Sequence, residues 1–271
     1  MGKLIIVSTP IGNLGDLPPR GMEALADADV IACEDTRVTG KIAALTGASA
    51  ELLTYAEHNE AEAAGKVVKR LNGGATVVLV SDAGTPLLSD PGYRLVRTAL
   101  DAGHELDAVP GPSAIHNALV LSGLPPYPYA FLGYFPRKPG ERTAFIERYD
   151  KLGMTTVIFL TPHRVKKEFS VMAEAWGERQ TALCREMTKV YQEILRGTLR
   201  GITSEIAERE RIKGELTLVV GAGPAADELG RALTLARRAL EKGLSKRDAA
   251  ELASAEYGVS KNEVYRVLIA G

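Results

Sequence analysis

Four glycine- and proline-rich segments hold the residues best placed to do chemistry. They run from Thr9 to Asp16, from Ser81 to Gly92, from Val109 to Ala114 and from Thr161 to Arg164. Glycine permits unusual φ angles and close backbone approach, while proline fixes the turn around it. Each segment follows a strand-forming run, where open α/β sheets hold their ligands. Together they predict a cleft that offers backbone donors and acceptors to a small molecule. None has the Gly-x-x-x-x-Gly-Lys-Ser/Thr spacing of a phosphate loop. Gly221-Ala222-Gly223-Pro224-Ala225-Ala226 matches a dinucleotide fingerprint in letters. However, Pro224 removes an amide where pyrophosphate would be held, and no convincing strand follows, so the match reads as accidental. The four histidines, His58, His104, His116 and His163, lack metal-ligand spacing, and no metal is expected. Cys33 and Cys184 lie in apolar runs and read as buried, reduced thiols.

The elements that must position these loops alternate along the chain. Strand-forming runs at Leu4–Val7, Val30–Cys33, Leu52–Tyr55, Val77–Val80 and Leu106–Val109 enclose helical spacing at Pro19–Ala26, Ala61–Leu71 and Gly92–Ala102. That alternation predicts a layered α/β domain with a mostly parallel sheet. A helix over Ser113–Leu121 precedes Ser122-Gly123-Leu124-Pro125-Pro126-Tyr127-Pro128, whose prolines oppose helix continuation and suggest a domain boundary. A second α/β unit is expected from strands at Tyr129–Gly133, Thr155–Leu160, Thr181–Arg185 and Leu216–Val220. Its helices fall near Arg142–Lys151, Val165–Trp176 and Ile202–Arg209. The resulting division is residues 1–122, 123–225 and a helical tail, 226–271. In the tail, Ser245-Lys246-Arg247-Asp248 and Ser260-Lys261-Asn262-Glu263 match capping boxes, with Gly258 between them as a left-handed stop. The pair has the look of a helix-turn-helix, a pattern that also serves as plain packing.

The 271 residues carry 33 Lys plus Arg against 34 Asp plus Glu, which excludes a protein that is basic throughout. Residues 1–122 hold 9 basic and 15 acidic side chains, residues 123–225 hold 16 and 12, and residues 226–271 hold 8 and 7. A polyanion would therefore meet the second third before the first. No segment approaches the ~20 apolar residues of a membrane span. The short apolar run after Met1 reads as a strand, and the expected location is the cytoplasm.

Several ordered segments now resemble a known family. Ile11 to Asp16, Glu34-Asp35-Thr36-Arg37, Ser81 to Gly92, Pro110 to Ala114 and Ser122 to Pro125 are similar to the bacterial small-subunit ribosomal RNA (cytidine-2′-O)-methyltransferases, within the tetrapyrrole methylase superfamily. Pro162-His163-Arg164, Arg185-Glu186-Met187-Thr188-Lys189 and Lys213-Gly214-Glu215 continue the likeness in order over about 220 residues. The family often carries an acidic residue just before its Pro-His-Arg. This chain has Leu160 and Thr161 there, so a contact through that carboxylate does not carry over. The resemblance implies two α/β domains of tetrapyrrole methylase type with S-adenosylmethionine in the cleft between them, plus the helical tail. It further implies a homodimer acting on a cytidine in the decoding region of the assembled small subunit. Matching motifs place cofactor contacts at Pro10, Ile11, Asp82, Thr85, Ser113 and Ala114, with Leu160, Thr161 and Met187 from the second domain. The nearest alternative enzyme is a tetrapyrrole C-methyltransferase. An alternative of another class is a non-catalytic RNA-binding assembly factor using the tail.

Methylation of a ribose hydroxyl needs alignment and removal of one proton, since a thioether leaves without protonation. Glu34, Asp35 and Lys189 are the first choices for this work, with Glu186 and His163 behind them. Glu34 and Asp35 end an apolar run, where they could face the cleft; equally, one could accept from Arg37 and hold a loop. Lys189 serves as a base only if burial or positive neighbours lower its pKa; otherwise it contacts phosphate or pairs with Glu186. Arg137, Lys138 and Arg142, together with Arg164, Lys166 and Lys167, form two basic groups suited to RNA phosphates, or to a merely solvated surface. With 6% aromatic residues, no stacking platform for single-stranded RNA is evident.

Overall fold

A computed structural model describes residues 1–223 and 228–270. Pro224, Ala225 and Ala226 of the accidental fingerprint lie outside them. The chain divides into two compact units, one of Met1–Arg142 and Thr155–Gly221, the other of Thr143–Met154 and Ala222–Gly271.

The first unit begins with β1 (Lys3–Val7), α1 (Pro19–Ala26), β2 (Val30–Cys33), α2 (Thr36–Thr46), β3 (Glu51–Thr54), α3 (Glu60–Asn72), β4 (Thr76–Leu79), α4 (Tyr93–Asp101), β5 (Glu105–Val109) and α5 (Ala114–Ser122). Its strands form one parallel sheet in the order β3-β2-β4-β1-β5. Side chains alternate across a strand, so this sheet buries two opposite sets. Val30, Ala32, Val77 and Leu79 pack with Val67, Leu71 and Leu95 of α3 and α4. Ile31, Cys33, Val78 and Val80 pack with Leu25, Ile42 and Ala43 of α1 and α2.

The connector at 123–128 leads, within the same unit, to a second sheet. Its elements are β6 (Tyr129–Tyr134), α6 (Pro139–Tyr149), β7 (Thr155–Leu160), α7 (Val165–Trp176), β8 (Gln180–Arg185), β9 (Glu193–Thr198), α8 (Leu199–Glu208) and β10 (Leu216–Val220). Only the first four residues of α6 belong to the first unit. The strand order is β6-β7-β10-β8-β9, and only β6 and β7 pair in parallel. One face is covered from outside this half: Ile115, Ala118 and Leu119 of α5 pack with Val157, Ala182, Cys184 and Val219.

In the second unit, α9 (Glu228–Glu241), α10 (Lys246–Tyr257) and α11 (Lys261–Ala270) close on buried Ala232, Ala236, Ala249, Ala250 and Ala253 with Val264 and Leu268. The Ser245 hydroxyl accepts from Asp248 N–H at 3.2 Å, and Gly258 ends α10 with φ of 67°, as the spacing predicts. Among the described residues no helix is long and apolar enough to cross a membrane. Both cysteines are buried free thiols whose pKa values burial pushes up.

Two elements escape the sequence pattern. The first, α2, is rich in β-branched residues and contains Gly40, which hides its helical tendency. Its ends were legible in principle: Asp35 caps it by accepting from Arg37 N–H at 2.8 Å, and Gly47 stops it with φ of 72°. The second, β9, is a charged edge strand containing Gly197, with no apolar alternation of its own. Pairing with β8 and an ion-pair clamp hold it. Glu193 accepts from Arg185 Nε at 2.9 Å and from both terminal nitrogens of Arg209 at 2.7 and 2.8 Å.

Two stability measurements check this packing. Trp176→Ala removes a side chain that is 1% exposed and should cost about 3–5 kcal/mol in chemical denaturation. Hydrogen bonds from Arg209 hold the Glu193 carboxyl near a pKa of about 2, so its contribution is present above the ordinary glutamate range and is lost as pH falls towards that value. Glu193→Gln should therefore destabilise by about 1–3 kcal/mol at pH 7, with the gap to the wild type closing between about pH 5 and 2 in urea melts.

Candidate active site

The carboxyl ends of β4, β1 and β5 lie side by side, so three of the glycine- and proline-rich loops emerge together. They are laced to one another. Thr9 N–H donates to the Gly84 carbonyl at 2.8 Å and Gly84 N–H returns to the Thr9 carbonyl at 3.0 Å. Thr9 Oγ1 donates to the Ser81 carbonyl at 3.0 Å. The Ser8 and Thr85 hydroxyls meet at 3.0 Å, and Thr85 Oγ1 reaches the Pro112 carbonyl at 3.3 Å. Ser113 follows as the N-cap of α5, accepting from His116 N–H at 3.4 Å.

The second sheet brings its own edge to the same place. Leu216 pairs with Leu160 on one side and with Arg185 on the other, so the ends of β7 and β8 align with the start of β10. The residues just beyond, Thr161, Pro162, Glu186, Met187, Lys189, Gly214 and Glu215, face loop residues Ile11, Asp82, Thr85, Ser89, Asp90 and Ser113 across a cavity of about 570 Å³. Tyr134 and Phe159 complete a partly aromatic wall. Among the described residues, the non-glycine residues with left-handed φ are Leu87, Ser89, Glu186 and Thr188, at 73°, 72°, 49° and 67°. All four sit in the two loops that wall this cavity. Such conformations cost on the order of 1 kcal/mol each and persist only where the surroundings enforce them.

Electrostatically the walls differ. On the first-sheet side, burial raises the carboxyls of Glu34, Asp82 and Asp90, helped by the charge of Asp82 on Glu34, of Asp35 on Asp82, and of Glu34 and Asp82 on Asp90. For Asp90 burial comes first, then Glu34, and its pKa is pushed up to about 6. On the opposite side, Lys189 Nζ donates to Glu186 Oε1 at 2.8 Å and to Glu215 Oε2 at 3.1 Å, and Glu215 N–H donates to Glu186 Oε1 at 2.9 Å. Burial disfavours the lysine charge, but the two carboxylates outweigh it and hold its pKa above the ordinary value. Two glycines make room for this triad. A Cβ on Gly12 would stand 2.4 Å from Lys189 Cγ, and one on Gly214, where φ is 93°, would stand 2.4 Å from Glu186 Cδ.

Of the expected cofactor contacts, Ile11, Asp82, Thr85, Ser113, Ala114, Leu160, Thr161 and Met187 all line this one cavity. Pro10 is buried in the loop behind Ile11 and is not on the wall. Of the three first choices for proton handling only Lys189 lines it, joined there by Glu186, and a lysine held above its ordinary pKa does not accept a proton at neutral pH. Asp35 is spent locally: it caps α2 and pairs with Arg37 at 2.6 Å, which pulls its carboxyl down to about 2. Its N–H donates to Asp82 Oδ1 at 3.1 Å. Glu34 is half-buried behind the wall. His163 is exposed outside the cavity. Asp90, Tyr134 and Glu215 are the additions. Asp90 and Glu215 stand in segments already flagged by their motifs, whereas an isolated Tyr134 carries no sequence signal.

The basic residues separate in the same way. Arg137 and Lys167 are exposed, and Lys138 is exposed while pairing with Glu141 at 3.0 Å. Arg142 is only 3% exposed: it donates to the Pro136 carbonyl and lies over the Phe135 ring, which removes it from any RNA-facing surface. Arg164 is tied to buried Glu168 at 2.8 Å. Lys166 donates to the carbonyls of Ala207 and Arg209, closing the end of α8. Spacing alone cannot tell a lysine that caps a distant helix from one that waits for phosphate.

The profile of the family described as Tetrapyrrole (Corrin/Porphyrin) Methylases matches residues 3–203. The chain is 40% identical over 267 residues to the ribosomal RNA small subunit methyltransferase I of Mesorhizobium japonicum, covering 98% of this chain and 91% of that protein. Proteins with the same name from Bacillus subtilis and Vibrio cholerae are 36% and 39% identical, each covering 93% of the relative and 98% or 97% of this chain. In fold, the chain is similar to a diphthine synthase, with a TM-score of 0.64 at 16% identity, covering 82% of this chain and 90% of that one. It is also similar to the uroporphyrin III C-methyltransferase of Thermus thermophilus, with a TM-score of 0.57 at 18% identity, covering 83% and 98%. With residues 3–203 matched to that profile and full-length relatives aligned over nearly all of its length, the chain belongs to the tetrapyrrole methylase family.

Proposed function

We infer that this chain is an S-adenosylmethionine-dependent methyltransferase that modifies small-subunit ribosomal RNA at the 2′-hydroxyl of a cytidine in the decoding region. The observation that carries the reading is the convergence of eight motif residues, Ile11 to Met187 in chain order, on one cavity within a chain 40% identical to a relative named for that RNA class. The cavity also fits the cofactor chemically. Thr161 Oγ1 is buried without a hydrogen-bond partner and lines the wall, so a polar ligand is needed to satisfy it. Ile11, Ala114, Leu160 and Met187 supply apolar surface for a nucleoside. The N-terminus of α5 at Ser113 favours a carboxylate. Asp82 keeps one oxygen beyond its Asp35 bond for a polar group.

When bound, the cofactor supplies a methyl carbon activated by sulfonium. The chain must hold and align the partners, exclude water and take one proton. Glu34 and Asp35 act by position, the latter fixing Asp82 through its N–H. Lys189 acts as a fixed positive charge between Glu186 and Glu215, facing the incoming RNA rather than taking its proton. Arg137, Lys138 and Lys167 supply phosphate contacts, while Arg164 and Lys166 shape the surface beneath them. The halves 1–122 and 123–225 both hold the cofactor, the second meets most of the RNA, and the tail, 226–271, is an accessory. The enzyme works in the cytoplasm on the assembled subunit, as a homodimer. Exposed Val120 and Tyr127, at 78% and 82%, are apolar surface for that contact.

Radiolabelled methyl transfer to small subunits, naked RNA and a tetrapyrrole, followed by mapping of the modified sugar, tests the reading. Transfer to a cytidine ribose of the subunit is the expected outcome. Methylated tetrapyrrole, or RNA binding without transfer, would replace it with one of the alternatives. Asp82→Ala should weaken cofactor binding about tenfold or more by calorimetry. The double variant Arg137→Glu and Lys167→Glu should weaken subunit binding and flatten its salt dependence, with cofactor affinity unchanged.

A further inference from the structure

Four carboxylates line the cavity: Asp82, Asp90, Glu186 and Glu215. Three are already engaged. Asp82 accepts the Asp35 N–H, Glu186 accepts Lys189 and the Glu215 N–H, and Glu215 pairs with Lys189. Among the described residues, Asp90 alone of the four has neither an ion pair nor a backbone donor, and a hydrogen bond from the Ser81 hydroxyl draws its proton affinity down. It stands between Ser89, held at φ of 72°, and Pro91-Gly92, where a Cβ on Gly92 would meet Leu79 and Leu87 at 3.0 and 3.1 Å. The loop is thus fixed on both sides of it. We propose that Asp90 is the proton acceptor of the methyl transfer inferred above, taking the hydrogen of the attacking ribose hydroxyl.

The step balances. The hydroxyl proton moves to the Asp90 carboxylate as the ribose oxygen bonds to the methyl carbon. The carbon–sulfur bond breaks and its electron pair stays on sulfur, which becomes a neutral thioether. Asp90 then returns the proton to solvent. The charged and titratable groups around Asp90 are Glu34 at the end of β2, Asp82 after β4 and Tyr134 on β6, whose phenol is itself pushed up by burial and by Asp90. Burial and these acidic neighbours bring Asp90 to about 6, close to the pH at which a base must be both free and basic.

This assignment rests on the methyltransferase reading, and the experiment separates the two. Asp90→Asn should lower the methylation rate about 10²–10⁴-fold with cofactor affinity unchanged by calorimetry. The wild-type rate should rise with pH through about 6 and then level, and that limb should vanish in the variant. A raised carboxyl pKa stabilises the fold below the ordinary aspartate range and costs stability as pH rises through the folded value. Asp90→Asn should therefore melt a few degrees higher than the wild type at pH 8 and no higher at pH 3. Wild-type protein that transfers no methyl group to any RNA overturns the function itself. Near-normal transfer by Asp90→Asn, loss of its cofactor binding, or no pH-dependent difference in melting overturns the role of Asp90 while leaving the function standing.

Discussion

Everything at the site depends on the lacing of three loops at the edge of the parallel sheet. The paired backbone bonds between Thr9 and Gly84, and the hydroxyl chain from Ser8 through Thr85 to the Pro112 carbonyl, join the ends of β1, β4 and β5 into one surface. These bonds are buried or partly buried, so an unmade one would leave a polar group away from water at a cost of about 1–3 kcal/mol. They explain why the segments are built from small hydroxyl residues, glycine and proline. Only such residues let three chains approach closely enough to bond one another and still turn away. The cavity wall is a by-product of satisfying backbone groups.

The two sides of the cavity then divide the electrostatic work. On the first-sheet side, acidic groups are buried together, and burial with neighbouring charge raises their proton affinity. On the other side, Lys189 sits between two carboxylates that keep it charged. Both walls therefore carry carboxylates, and on the second the charge of Lys189 is balanced by Glu186 and Glu215. Strain concentrated at Leu87, Ser89, Glu186 and Thr188 shows where the chain gives up local comfort to hold this arrangement.

Most of the fold was legible because its strands are short, apolar and bounded by turn residues. Val30–Cys33, Thr155–Leu160, Val165–Trp176 and Leu216–Val220 follow directly from pattern. What pattern misses is stability supplied by a partner. Helix α2 has poor intrinsic propensity and lives on its caps and its packing, and β9 lives on β8 and the Glu193 clamp. The same limit governs the site. Motifs located the loops, including the one that holds Asp90. Which carboxylate is committed and which is free depends on contacts such as Arg37 on Asp35, and these exist only after folding. Arg142 makes the point from the basic side, since its burial beside Phe135 has no counterpart in composition.

Helix α5 has a consequence for how such a protein can change. It is encoded before the proline-rich connector, yet its Ile115, Ala118 and Leu119 cover Val157, Ala182, Cys184 and Val219 of the second sheet, and its first turn borders the cavity. The proline connector is therefore a poor seam. A recombinant that exchanged the second half there would pair one lineage's helix with another's sheet, mismatching a core and a ligand wall at once. Inheritance of the two halves is tied by nine residues, Ala114–Ser122, whose apolar face and amino end answer to different selective demands.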